Sequence, residues 1–335
     1  MKKITIVDST LRDGGYEVDF SFTATDTSFV CQKLEEAGLE FIEVGHGMAM
    51  GAGDNTELTG ATHTSDAEYM VAAKSALKKA KFGMFFFPGI SKMEHIELAA
   101  RHGMGFLRIG TDVTEVPRSE PYIKKAKEAG LFVTANYMKS YALTPQELAE
   151  QVKLSEKYGA DVVYLVDSAG CMFPDDIRRY FHAVREVSQI KLGFHGHDSL
   201  GLAVANSLAA AEAGFEFIDG TLQGLGRSGG NASTEVLVAA MSKMGYDTGI
   251  DFLKLLDAGE TYIQPKLNRK GRGRLDVVAG FAGFHSSFLP LVMQYAGQYE
   301  IDPAILIIEI SQKERVHVNE ALIKQAVEDI KSKRS

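Results

Sequence analysis

Short apolar runs alternate along the first 245 residues with longer stretches in which apolar positions return every three or four residues. The runs fall at 4–8, 41–45, 82–87, 106–109, 132–137, 161–166, 191–194 and 217–220. They are rich in β-branched and aromatic residues, and several are apolar throughout, the pattern of parallel strands covered on both faces. Between them, 25–37, 66–79, 92–101, 121–129, 145–158, 174–187, 200–213 and 232–244 read as helices. Thr144-Pro145 places a cap ahead of a first-turn proline, and Gly38, Gly103, Gly130, Gly159 and Gly214 mark helix exits.

Eight such alternations predict an α/β fold of the (β/α)8 TIM-barrel type, for which roughly 250 residues is typical. A doubly wound open sheet is the alternative. It wants a glycine-rich phosphate loop after the first strand, and Asp13-Gly14-Gly15 matches one poorly. Beyond Gly245 the strands stop, and 252–259, 281–298, 303–309 and 319–333 read as helices. The chain therefore divides into a catalytic barrel, 1–245, and an all-helical C-terminal appendage, 246–335. The basic, glycine-containing stretch 266–274 reads more simply as a solvated linker than as a site for an acidic group.

Composition narrows the function. The net charge of -8 over 335 residues argues against nucleic acid as a partner. No apolar stretch approaches the ~20 residues of a membrane span, and the N-terminal apolar run is too short for a secretion signal. Two cysteines, Cys31 and Cys171, cannot make a disulfide framework, so a cytoplasmic location is expected.

Catalytic groups of a barrel sit at the C-terminal ends of its strands. The first strand runs into Asp8-Ser9-Thr10-Leu11-Arg12-Asp13-Gly14-Gly15, and the seventh ends in His195-Gly196-His197-Asp198. Residues two apart on a strand share a face, so both imidazoles aim into the barrel mouth. Packing at a strand end explains them too, but two imidazoles with the Asp13 carboxylate from a nearby strand suit a divalent cation with open positions. This oxygen and nitrogen donor set fits Mn, Mg, Co or Zn, and a small 2-oxo acid would fill the open positions. Arg12, adjacent in sequence, becomes a clamp for developing negative charge. Asn231 is either a further ligand or a helix cap, and Asp198 is placed to orient a ligand imidazole. His46, at the end of the second strand, is expected to touch substrate, whereas His63 reads as a loop histidine.

These motifs, with Gly201-Leu202-Ala203-Val204-Ala205-Asn206-Ser207, Glu43-Val44-Gly45-His46-Gly47, Val166-Asp167-Ser168-Ala169-Gly170, Gly224-Leu225-Gly226-Arg227-Ser228-Gly229-Gly230-Asn231 and Gly280-Phe281-Ala282-Gly283-Phe284-His285-Ser286-Ser287, resemble the 4-hydroxy-2-oxovalerate aldolase family. It belongs to the metallolyase barrels that also hold 3-hydroxy-3-methylglutaryl-CoA lyase and 2-isopropylmalate synthase. The resemblance implies Asp13, His195 and His197 as ligands of a divalent metal, typically Mn(II), and Arg12 as the stabiliser of a pyruvate enolate. It also implies Ser168 and His46 near substrate, and cleavage or formation of a 4-hydroxy-2-oxo acid to give pyruvate and an aldehyde. A homo-oligomer, and an acylating aldehyde dehydrogenase partner met through the appendage, follow from the same likeness.

Three departures stand out. Tyr16 occupies the place of the family's catalytic histidine, and His285 a place where the family carries tyrosine. The two are expected to face each other across the substrate hydroxyl with exchanged roles, His285 as base; a changed substrate that uses neither is the alternative. Met48-Ala49-Met50 replaces an acidic, glycine-containing loop. Claisen chemistry on an acyl-CoA is a competing activity, but no cysteine lies in a glycine-rich loop. A non-catalytic barrel subunit is the other alternative.

Overall fold

A computed structural model describes residues 4–54, 64–266 and 274–333. Eight parallel strands, β1 (Thr5–Asp8), β2 (Phe41–Glu43), β3 (Lys81–Phe86), β4 (Phe106–Asp112), β5 (Phe132–Met138), β6 (Val162–Asp167), β7 (Lys191–Gly196) and β8 (Phe217–Gly220), pair in sequence order. The barrel closes where Thr5 to Asp8 of β1 meet Phe217 to Gly220 of β8. The expected barrel is therefore present, with strand positions within a few residues of the apolar runs.

The helices on its outside carry their own stop and start signals. Thr23 and Thr144 close capping boxes with Asp26 and Glu147, and Gly38 and Gly159 end their helices in the left-handed region. Each box satisfies amide groups that the first helical turn would leave unpaired.

Side-chain alternation builds the barrel interior in layers. Phe41, Phe106, Phe132, Phe217 and Tyr164 form an aromatic plug, with ring centroids 5.3–6.5 Å apart. Glycines make room for it: a Cβ at Gly83 would stand 2.4 Å from the Phe106 ring, and one at Gly193 2.5 Å from Tyr164. Two residues further along the same strands, the inward positions are Glu43, Arg108, Asp219 and His195, all buried. The barrel is thus apolar below and charged above.

The appendage has a second core, built by Phe284, Val292, Leu306, Ile307, Ile310, Ile323 and Val327. Leu255, Ala258 and Ile263 pack into the barrel core instead, so by packing the second unit starts later than residue 246. The helix expected at 281–298 is two helices, Arg274–Ala282 and Leu289–Tyr299. Gly283, at φ +67°, turns the chain out of the first, and Pro290 sits in the first turn of the second. That break carries His285 to the barrel mouth. His63 and residues 267–273 of the basic stretch lie outside the described residues. Lys266, at its edge, pairs with Asp26 at 2.9 Å. Among the described residues, no helix is long and apolar enough to cross a membrane.

Candidate active site

A chain of buried charges forms the floor of the barrel mouth. Arg12 Nη1 donates to Asp13 at 2.6 Å, and its Nε lies 3.1 Å from Glu43 Oε2. Glu43 also accepts from Ser9 Oγ at 2.8 Å and from Arg108 Nη1 at 3.2 Å. Arg108 Nη2 reaches Asp219 at 2.5 Å, and Asp219 lies 2.9 Å from Nδ1 of His195. Arg12 is thereby wired to His195 through four intervening contacts. Burial works against the charge of Arg12, but Glu43 and Asp13 outweigh it and hold the guanidinium above its ordinary pKa.

Three groups converge above this floor. Ligand atoms of Asp13, His195 and His197 lie within 4.8 Å of one another, and all three residues are buried. Their hydrogen bonds fix what each can offer. His195 Nδ1 points at Asp219 Oδ2, and His197 Nδ1 at the backbone carbonyl of Arg227, 3.2 Å away. Those acceptors assign the proton to Nδ1 on both rings and leave Nε2 with its lone pair. Burial pushes the pKa of His197 down to about 3, so it is neutral at pH 7. Burial alone would raise Asp13, but Arg12, His197 and His195 hold it well below the usual carboxylate range. One ionised carboxylate and two imidazoles that turn Nε2 inward, buried together, fit a divalent cation. Asn231 Nδ2 donates to Asp13 Oδ2 and to Leu225 O, while its own Oδ1 is buried without a partner. Gly226 is required here, because a Cβ would sit 2.8 Å from Asp13 and closer still to Asn231.

The ligand atoms line an inner chamber of about 60 Å³, together with Arg12, Arg108, Asn136 and Ser168. It abuts a vestibule of about 710 Å³ roofed by the appendage through His285, Ser286, Ser287, Leu289 and Pro290. Five residues line both spaces: Tyr16, Met48, Phe85, Met138 and Arg227. They form the neck between the two.

Lys139 ties the roof to the barrel. Its Nζ lies 3.0 Å from Asp112 and donates to Val316 O at 2.8 Å, while its backbone N–H donates to Ser168 Oγ at 2.9 Å. It holds this position in the left-handed region, φ 57°.

Several expected residues take unexpected places. Arg227 touches both Tyr16 and His285: its Nη2 is 2.8 Å from His285 Nε2, and its guanidinium lies 5.4 Å from the Tyr16 ring centroid. The side chain between the supposed exchanged pair is thus an arginine. His285 Nδ1 is engaged by Ser287 Oγ at 2.7 Å, and burial with Arg227 and Lys139 nearby lowers its pKa well below 6.5. Burial raises the Tyr16 phenol despite Arg227. Asp198 accepts from Ala203 N at 2.9 Å, at the start of the helix Ala203–Ala213; the carboxylate on the ligand imidazole is Asp219. Asn231 is not the cap of the following helix, whose cap position is Ser233. His46 lines neither chamber: its ring stacks on Phe20 at 4.4 Å, its Nδ1 accepts from Met48 N, and burial lowers its pKa to about 4.

Glu43, Arg108, Asp219, Arg227 and Lys139 carry the site without having been singled out from the sequence. For the first three a signal existed, since each is a charge at an inward position of an otherwise apolar strand. Arg227 stands alone as a cation in a glycine-rich loop after β8.

Comparison with known proteins gives the family of the chain. The HMGL-like family matches residues 3–261. The 4-hydroxy-2-oxovalerate aldolase of Carboxydothermus hydrogenoformans is 40% identical over 323 residues, 96% of each chain. That of Pelotomaculum thermopropionicum is 41% identical over 315 residues, 94% of this chain and 92% of the relative. Among solved structures, the N-terminal domain of a putative aldolase from Bacteroides vulgatus superposes with a TM-score of 0.74 at 25% identity, covering 88% of this chain and 98% of its own. The carboxyl transferase domain of Rhizobium etli pyruvate carboxylase shares the fold, with a TM-score of 0.81 at 16% identity over 99% of this chain and 61% of that one. With the family matched across the barrel and close relatives matched across nearly the full length, this chain belongs to the HMGL-like family.

Proposed function

We propose that the protein is a divalent-metal-dependent carbon–carbon lyase that cleaves a 4-hydroxy-2-oxo acid to pyruvate and an aldehyde, or runs the same step as an aldol addition. The observation that carries this reading is the convergence of Asp13, His195 and His197 beside Arg12, in a small chamber abutting a large one.

Asp13, His195 and His197 would hold the cation, Mn(II) as the first choice, with Asp219 and the Arg227 carbonyl fixing the two rings. When bound, the cation supplies Lewis acidity at the 2-oxo group and a template for its neighbouring carboxylate. Arg12 meets the negative charge that develops on the C2 oxygen as the C3–C4 bond breaks. Its held, permanently protonated fork needs little reorganisation at that moment, and such a donor contributes roughly 3–4 kcal/mol. Ser168, in the same chamber, positions the oxo acid. Tyr16 and His285 are the proton-transfer candidates at the C4 hydroxyl, with His285 neutral and so able to accept. The aldehyde half extends into the vestibule.

The free thiols Cys31 and Cys171 suit a reducing cytoplasm. An oligomer, and an aldehyde dehydrogenase meeting the appendage, belong to the same proposal and are testable by co-purification.

The decisive experiment follows the methyl protons of pyruvate in deuterated solvent, with apoprotein and with Mn(II) added. Exchange that depends on the metal supports the reading. A protein that binds Mn(II) without exchanging, or fails to bind it, removes it.

A further inference from the structure

We infer that Arg227 is a catalytic residue of this site, the donor that stabilises the C4 oxygen of the substrate as it becomes an alkoxide. The inference rests on the aldolase reading and adds to it a group that reading left unused.

If the carboxylate and the 2-oxo group occupy the inner chamber, the aldehyde half occupies the vestibule, and the C3–C4 bond must cross the neck. Among the described residues, only Tyr16, Met48, Phe85, Met138 and Arg227 line both spaces. Three of these are apolar. An oxygen on C4 therefore meets Tyr16 or Arg227, and only Arg227 brings a positive charge. Its Nε is buried with no hydrogen-bond partner. A buried donor left unmade is costly, so an unpaired N–H on a residue that lines both spaces is a donor available to a ligand. The backbone is held as well, because the Arg227 carbonyl takes the hydrogen bond from His197. That contact sets the reach of the guanidinium relative to the ligand atoms.

The placement also resolves a difficulty with His285. Its Nε2 already lies 2.8 Å from Arg227 Nη2, and among such neighbours the ring is a weak base. A weak base removes a proton from an alcohol only where the resulting alkoxide is strongly stabilised. In the cleavage direction the C4 hydroxyl displaces Arg227 Nη2 from His285 Nε2, accepts from the unpartnered Arg227 Nε–H, and gives its proton to Nε2. The oxygen's electron pair closes the C4 carbonyl. The C3–C4 bond breaks, and its pair passes to the 2-oxo group beside Arg12. Arg227 stays protonated and donates to the C4 oxygen throughout. The aldehyde leaves through the vestibule, the pyruvate C3 takes up a proton from solvent, and His285 Nε2 returns its own proton to solvent.

The test separates steps that involve a C4 oxygen from the one that does not. Arg227→Met should lower kcat for cleavage of 4-hydroxy-2-oxovalerate by about 100- to 1,000-fold. Mn(II)-dependent deuterium exchange into pyruvate should stay within about threefold of the parent enzyme. Arg227→Lys should fall between the two in cleavage. A binding measurement needs no variant: 2,4-dioxopentanoate, which has a C4 oxygen but cannot undergo the cleavage, should bind the Mn(II) enzyme at least about tenfold more tightly than 2-oxopentanoate. Arg227→Met should erase that preference. Equal affinity of the parent enzyme for the two acids overturns the inference whether or not the variant folds. Parallel loss of cleavage and exchange in a folded Arg227→Met protein also overturns it, as does full cleavage activity. Absence of exchange in the parent enzyme with Mn(II) would instead remove the aldolase reading beneath it.

Discussion

The inner chamber and the vestibule are built on different principles. Apart from Arg12 and Asp13, which lie just beyond β1, the charged groups of the chamber floor come from strand positions, and Glu43, Arg108, Asp219 and His195 are buried and mutually paired. The vestibule is assembled from the last residues of strands, from loops and from the appendage. Phe20, Lys139 and Ser228 line it in the left-handed region that side chains disfavour, with φ of 55–59°. The floor holds charge where chemistry needs it without reorganisation. The rim places strained side chains around a much larger space. On the proposed aldolase reading, the reaction centre belongs to the floor and the choice of aldehyde to the rim.

The same contrast operates between single carboxyl groups. Asp8, Asp13 and Asp167 are all buried near strand ends. Asp13 faces Arg12 and stays ionised, whereas burial without such a cation raises Asp8 and Asp167 to about 6. Burial alone does not decide ionisation; the nearest charge does.

Changes of decreasing size sharpen the comparison. Asp13→Ala should abolish stoichiometric Mn(II) binding and reduce turnover by about 1,000-fold or more, as expected for losing several kcal/mol of Lewis-acid stabilisation. Retention of both would show that the floor is not the metal centre. Arg108→Met strands Glu43 and Asp219 as unpaired buried charges and should destabilise the fold by about 3–5 kcal/mol in denaturant titration. At the rim, Tyr16→Phe should shift stability by no more than about 1 kcal/mol. Similar losses at both positions would erase the distinction drawn above.

Asp219→Asn keeps the shape beside His195 but weakens its hold on the ring, and calorimetry should show Mn(II) affinity reduced about 10- to 100-fold. The smallest effect is on pH dependence. A carboxyl whose folded pKa is about 6 and whose unfolded value is near 3.8 takes up its proton first in the folded state. Its contribution to stability is thus full below 3.8 and is lost as pH rises through 6. Relative to the parent, Asp8→Asn should remove about 1 kcal/mol of the change in stability between pH 5 and pH 7. An unchanged pH profile would mean that Asp8 has a cationic partner after all.

Much of this was legible in the chain itself. Alternation of apolar runs with helical stretches gave the barrel because a strand covered on both faces has no polar positions to spare. The grouping of Asp13, His195 and His197 was legible because the two histidines, two apart at the end of β7, share a face, and β1, which leads to Asp13, lies only one strand away. Asp219 and Arg108 obey the same period, yet their partners lie on different strands, and pairing across the barrel leaves no local trace.

The rim was beyond sequence reading for a further reason. His285 reaches the site only because Gly283 and Pro290 break what periodicity alone joins into one helix, and the Lys139 side chain bonds to Val316 O, 177 residues away. Arg227 gains its meaning from lying between Tyr16 and His285, from opposite ends of the chain. Local propensity and spacing determine elements and the residues that neighbouring elements share. Which distant side chains meet around a cavity is decided by packing, where the free energy of many contacts outweighs the preference of any one segment.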